Sequence, residues 1–146
     1  MLQSALAMLH ITNDVVLVLN PKERFERLVA TSSIDTSFNC GLPLMRLIDA
    51  LCLMKRMHEN YLEEKNLEYA YMYGLRILSL SKAIITRDNY CPAIASIIES
   101  SVLTKDFYSH MEQTRDVLTQ TYQKEAELLG KNLREKQEKL ISSVIE

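Results

Sequence analysis

Tryptophan is absent from this chain, and glycine, proline and cysteine each occur only three times in 146 residues. With so few breakers and no run of turn residues in its middle, the chain has little of what an all-β architecture needs to turn its strands. Charge of one sign is also missing. A net charge of -2 gives no basic field, so no nucleic-acid partner is expected. No stretch approaches the roughly 20 consecutive apolar residues that cross a bilayer, so membrane contact is expected only through partners. The first ten residues, MLQSALAMLH, are mildly apolar but lack the basic start of a secretory leader. Cys40, Cys52 and Cys91 are an odd number and widely spaced, which fits a reduced, cytoplasmic setting.

Chemistry-bearing motifs are just as sparse. His10, His58 and His110 have no second ligand three or four residues away. Even if His58 met Cys52 or Cys91, a zinc site would need at least a third ligand. Cys52 lies in a helical apolar stripe and reads as a small core residue, and Cys91 has no evident base. There is no phosphate-binding glycine loop, no G-x-S-x-G and no H-E-x-x-H. No catalytic residue, metal site or cofactor is therefore assigned, and the expected class is not an enzyme.

What the chain does have is helical periodicity. The apolar content of 47% is enough for a core. Leu44, Leu47, Ile48, Leu51, Met54, Met57 and Tyr61 recur at steps of three and four. After the turn Glu63-Glu64-Lys65-Asn66 the period resumes through Leu67, Ala70, Tyr71, Gly74, Leu75, Leu78 and Ile85. Asn66 can cap the second helix, with Glu68 in its first turn. So short a break makes the pair an antiparallel hairpin. Two helices bury one seam, so the rest of the chain must supply the third wall.

Ahead of the hairpin, Ile11 to Leu19 contains Val15-Val16-Leu17-Val18-Leu19, is strand-like by composition and reads as an extended lead-in. Asn20-Pro21-Lys22-Glu23 then opens a short helix carrying Phe25, Leu28 and Val29. Residues 33–41 are a linker, and Pro43 restarts the helix. Beyond the hairpin, Arg87-Asp88-Asn89-Tyr90-Cys91-Pro92 is a stop, because the residue before proline resists helix. Residues 93–102 read as an apolar turn or short helix. Thr104 caps a last helix whose stripe runs Phe107, Met111, Thr114, Leu118, Tyr122, Leu129, Leu133, Leu140 and Val144. Gly130 is its weak point, at about 1 kcal/mol. Helices over 21–31, 43–62, 66–86 and 104–140 are expected. Their core should be Leu47, Ile48, Leu51, Met54, Tyr71, Leu75, Leu78, Phe107, Met111 and Leu118. The organisation follows as an N-terminal arm (1–19), a helical domain (20–125) and a charged helical extension (126–146).

Tyrosines cluster at the hairpin turn: Tyr61, Tyr69, Tyr71 and Tyr73. Tyr71 shares a face with Leu67 and Leu78 and reads as core. Tyr69, Tyr73, Arg76 and Leu80 either lie at a wet rim or form an exposed strip that receives a partner helix, since tyrosine and arginine contribute most in such contacts.

The segment from Tyr61-Leu62-Glu63-Glu64-Lys65-Asn66 to Leu80 resembles the hairpin of MIT domains, the microtubule-interacting and trafficking modules. The short helix after Asn20-Pro21, the loop to Leu42-Pro43, the spacing from Pro43 through Asn66 to Tyr90 and the long helix after Thr104 are more specific. Together they resemble the MIT-like N-terminal dimerisation domain of endosomal deubiquitinases, AMSH and a related ubiquitin-specific protease. The likeness covers roughly residues 20 to 140. It implies an all-α, MIT-like three-helix bundle with an extra short N-terminal helix and a long, extended C-terminal helix. The function it implies is a non-catalytic interaction module of endosomal traffic, cytoplasmic and peripheral to endosomes. Such modules bind C-terminal helices of ESCRT-III subunits, and this version can also form a homodimer. The chain would be the N-terminal piece of such an enzyme or a stand-alone relative. Ala70 and Leu78 fall on helix-packing positions of the family pattern. Gly74 departs from it, standing where the family usually places tyrosine. A partner helix is expected at Tyr69, Tyr73, Arg76 and Leu80. Self-association is expected through Phe25, Leu28 and Val29 with Leu129, Leu133 and Leu140. The alternative is a purely structural helical dimerisation or coiled-coil module.

Overall fold

The computed structural model describes residues 13–33 and 42–145. Most of the N-terminal arm, and most of the linker 33–41, lie outside the described residues. Six helices and no strand occur among those described. They are α1 (Asn13–Val18), α2 (Pro21–Thr31), α3 (Leu44–Glu63), α4 (Leu67–Ile85), α5 (Pro92–Ser101) and α6 (Lys105–Ile145).

Local chemistry sets most of these boundaries. Asn20 Oδ1 accepts from the Glu23 amide at 3.2 Å, and the Asn20 amide group reaches the Glu23 carboxylate at 3.4 Å, with Pro21 starting α2. Asn66 Oδ1 caps α4 by accepting from Tyr69 N at 3.4 Å, and Thr104 Oγ1 caps α6 by accepting from Phe107 N at 3.1 Å. The α3–α4 turn is a Schellman motif. Asn66 N donates to Tyr61 O at 2.9 Å, and Lys65 N donates to Leu62 O at 3.1 Å. Lys65 takes the left-handed position, φ 59°, that usually goes to glycine.

The chain divides into two compact units. One comprises residues 28–118. Within it, α3 and α4 are antiparallel, with His58 on Ala70 and Tyr61 on Tyr69 and Tyr73. The apolar helix α5 carries the chain to α6, whose first turns close a three-helix bundle. Lys55 meets Thr104, His58 meets Phe107, and Gly74 abuts Met111. The core holds Leu47, Ile48, Leu51, Tyr71, Phe107, Met111 and Leu118, as the periodicity predicts.

Five residues expected to face the core do not. Met54, Leu75 and Leu78 are only half-buried, and Ile85 is exposed. On α4 the places of Leu75, Leu78 and Ile85 go to Met72, Ile77, Leu80 and Ile84, because this helix packs on two sides and buries more than one stripe. Cys52 is exposed instead of core, so the helical stripe that seemed to include it lies one residue over, on Leu51.

The other unit is made of the chain ends, with described residues 13–27 and 119–145. Arg24 on α2 lies 3.9 Å over the ring of Tyr122 and pairs with Glu125. Leu19 approaches Gly130. This order of contacts makes the N-terminal segment antiparallel to α6. Val15 to Val18, read as an extended lead-in, are helical. With no strand among the described residues to pair with, a helix satisfies their backbone groups internally.

Candidate interaction surfaces

Lys55 is nearly buried on α3, and its place depends on what it touches. Its Nζ donates to Val102 O at 2.9 Å, where α5 ends, and to Thr104 Oγ1 at 3.4 Å, where α6 begins. It also lies 4.9 Å from the Phe107 ring centroid and 3.8 Å from Glu59. Burial pushes its pKa down, while the charges of Glu59 and Asp106 oppose that shift. The lysine thus fixes the α5–α6 corner, and it forms one wall of an open cleft between α3 and α6. That cleft, of about 620 Å³, is lined by Lys55, Glu59, Leu62 and Glu63 on one side and Thr104, Asp106, Phe107 and His110 on the other. Phe107 is core at its base, so Leu62 among the carboxylates is what the cleft offers to a short amphipathic helix with basic residues.

Behind this cleft is His58, with no exposure at all. Its Nδ1 is 2.6 Å from Ala70 O, so the proton sits there, and the Nε2 lone pair has no partner. The Phe107 ring meets it edge-on at 5.2 Å. Burial lowers its pKa most, with Lys55 and His110 adding to that shift, against the raising effect of the Ala70 hydrogen bond. A neutral histidine is what this seam accommodates. Nothing in the sequence distinguishes His58 as core except its place four residues after Met54 and three before Tyr61. Among the described residues, no three His, Cys, Asp or Glu side chains converge as a metal would require.

The strip expected to receive a partner helix is only partly available. Tyr69 is 49% exposed, Tyr73 and Arg76 are half-buried, and Leu80 is 3% exposed. Leu80 therefore belongs to the core and not to a docking face, because α4 is covered on the side that carries it. Tyr69 and Tyr73 both stack on Tyr61, with centroids at 5.3 and 5.5 Å, and Arg76 sits 5.1 Å over Tyr73. The result is a four-layer aromatic and guanidinium stack across the α3–α4 hairpin, turned toward α3. Tyr71 is buried, as its face predicts, and burial raises the pKa of its hydroxyl against the lowering effect of Arg115.

Of the residues expected in self-association, Phe25, Leu28, Leu129 and Leu133 are half-buried, while Val29 and Leu140 are each 39% exposed. The pairing of Arg24 with Tyr122 and Glu125 was not anticipated from the sequence. An arginine on a short helix gives no local signal of a partner a hundred residues away.

Gly74 explains its own departure from the MIT pattern. A Cβ there would lie 2.0 Å from Met111 Sδ, 2.7 Å from its Cε and 3.4 Å from His58 Cε1. The glycine lets α6 seat Met111 against α4, where a tyrosine could not fit. Comparison with curated proteins and with solved structures returned no match. The family model of the USP8 dimerisation domain, however, matches residues 18–125, from the end of α1 to the carboxylate that Arg24 holds. That span takes in the α2 helix, the hairpin and the bundle face of α6, and on this ground the chain belongs to the USP8 dimerisation domain family.

Proposed function

We propose that this chain is a non-catalytic module of endosomal ESCRT traffic. In this reading it acts in the cytoplasm at the periphery of endosomes, as the N-terminal part of a deubiquitinase or as a stand-alone relative. It takes C-terminal helices of ESCRT-III subunits in a groove of its bundle and pairs with a second copy. A dimerisation domain is by nature non-catalytic, and membership in that family supports self-association.

The observation that carries the binding half is the α3–α6 cleft. Leu62 offers an apolar contact over the buried Phe107, and Glu59, Glu63 and Asp106 offer complementary charge for a basic amphipathic helix. With Leu80 buried, this groove is favoured over the α4 strip. Binding should be micromolar, about -8 kcal/mol, because a single helix must order as it docks.

Titration of labelled ESCRT-III C-terminal peptides tests it. Glu63→Lys should weaken binding several-fold while leaving the melting temperature nearly unchanged. If Tyr73→Ala weakens binding and Glu63→Lys does not, the α4 strip is the groove. If no peptide binds at millimolar concentration, the purely structural dimerisation module stands in its place.

A further inference from the structure

The seam between the α3–α4 hairpin and the start of α6 already holds one positive charge. Lys55 Nζ donates to Val102 O and Thr104 Oγ1 and lies 4.9 Å from the Phe107 ring centroid. His58, almost one turn further along α3, packs on the same ring at 5.2 Å with no exposure. Its Nδ1 donates to Ala70 O, and its Nε2 has no hydrogen-bond partner. A proton on Nε2 would add a donor and a charge where no acceptor stands. Burying an unpaired charge costs far more than burying an unmatched lone pair.

The surroundings do not offset that cost. From α3 His58 faces Lys55 and Glu59, from α6 it faces His110, and α4 presents the Ala70 carbonyl and bare Gly74. Lys55 and His110 oppose a second cation. Glu59 favours one, but its side chain is 58% exposed and lies beside Lys55. A charged His58 must therefore reach water. The turn 63–66 ties α3 to α4. The contact that can give way is the one with α6, through Phe107 and through Met111 on Gly74.

We propose that His58 is a proton-operated latch on the α3–α6 cleft. The neutral ring seats the start of α6; the protonated ring releases it, and with it the wall of Thr104, Asp106 and His110. The inference rests on the groove proposed above and supplies its regulation. A helix held between the two walls binds the latched form, so acid weakens binding and, reciprocally, binding resists the proton. Burial holds the folded pKa of His58 below 6.5, which puts release on the acid side of that value. One proton changes affinity by at most about tenfold per pH unit.

The test compares the full chain with His58→Asn, whose uncharged amide can still donate to Ala70 O, and with His110→Asn. A labelled, histidine-free ESCRT-III C-terminal peptide is titrated at about pH 7.5 and about pH 5.5, and amide hydrogen exchange is followed without peptide. The latch predicts at least several-fold weaker binding by the parent at the lower pH, and a smaller change in His58→Asn. It also predicts that residues 105–111 exchange faster in the parent than in His58→Asn at the lower pH alone, while residues 44–51 do not. Loss of the pH effect in His110→Asn instead, or equal exchange of residues 105–111 in the parent and His58→Asn, overturns the latch and leaves the groove standing. Release without any peptide binding keeps the latch and removes the groove. If His58→Asn does not fold, the imidazole resonances of the parent decide. Saturating peptide should lower the His58 midpoint by about half a pH unit or more, and an unmoved midpoint overturns the latch.

Discussion

In the unit spanning residues 28–118, Leu51, His58, Ile77, Ile84 and Val102 have no exposure at all, whereas in the unit of the chain ends Tyr122 alone of the described residues is buried. Among the described residues each unit also holds one helical glycine, and the two glycines differ in the same way. Gly74 is walled by Met111 and His58, while the nearest atom to a Cβ at Gly130 would be Leu19 Cδ2, 4.0 Å away. One unit is held by close packing, where a single methyl group is felt. The other is held by helix formation and a few surface-type contacts, where a methyl group has room. Buried apolar area is the main stabilising term in folding, so the first unit is the one expected to stand alone.

The largest test of that contrast is truncation. Leu51→Ala should cost about 2–5 kcal/mol in chemical unfolding, as a filled site in a close-packed core does. Leu140→Ala, at 39% exposure, should cost under about 0.5 kcal/mol. Comparable costs at the two sites would mean that the end unit is packed as tightly as the bundle.

The glycines give the next largest difference, and it has opposite signs. Gly130→Ala should raise stability by about 1 kcal/mol from helix propensity, with no clash to offset it. Gly74→Ala gains the same propensity but displaces Met111, and overpacking of this kind costs about 1–3 kcal/mol. Met111→Ala should then reverse that penalty in the double variant. Melting temperatures of the three variants decide it, and additivity at Gly74 and Met111 would show that the two do not compete for space.

At the hairpin turn, Lys65→Gly should stabilise by roughly 1 kcal/mol, since the left-handed conformation is costly for a residue with a Cβ. A loss of stability there would show that the lysine side chain contributes more than its backbone strain costs.

Acid should act on the bundle through His58, and gradually. Its folded pKa lies below the ordinary value of 6.5, so below 6.5 the unfolded state binds the proton first. Stability is therefore retained above that pH and declines as pH falls through the window down to the folded value. His58→Gln should flatten this part of the profile, measured as denaturation midpoint against pH. An unchanged slope would place the acid sensitivity elsewhere.

Much of this architecture was determined by the sequence alone. The caps at Asn20, Asn66 and Thr104, the Pro21 start and the α3–α4 turn are settled by hydrogen bonds spanning three to five residues, so nearby side chains suffice to specify them. The stripe Phe107, Met111, Thr114, Leu118 and Tyr122 was equally legible, because the first half of α6 buries a single face. Tertiary structure decided what local pattern leaves open. Two-sided packing of α4 moved Leu80 from an expected docking strip into the core and brought in Ile77 and Ile84. Val15 to Val18 are helix, with no pairing strand among the described residues. The α3–α6 cleft, the Lys55 corner and the Arg24 contact each join residues tens to a hundred positions apart. Burial and pairing at that range depend on which helices become neighbours, and no window of sequence carries that information.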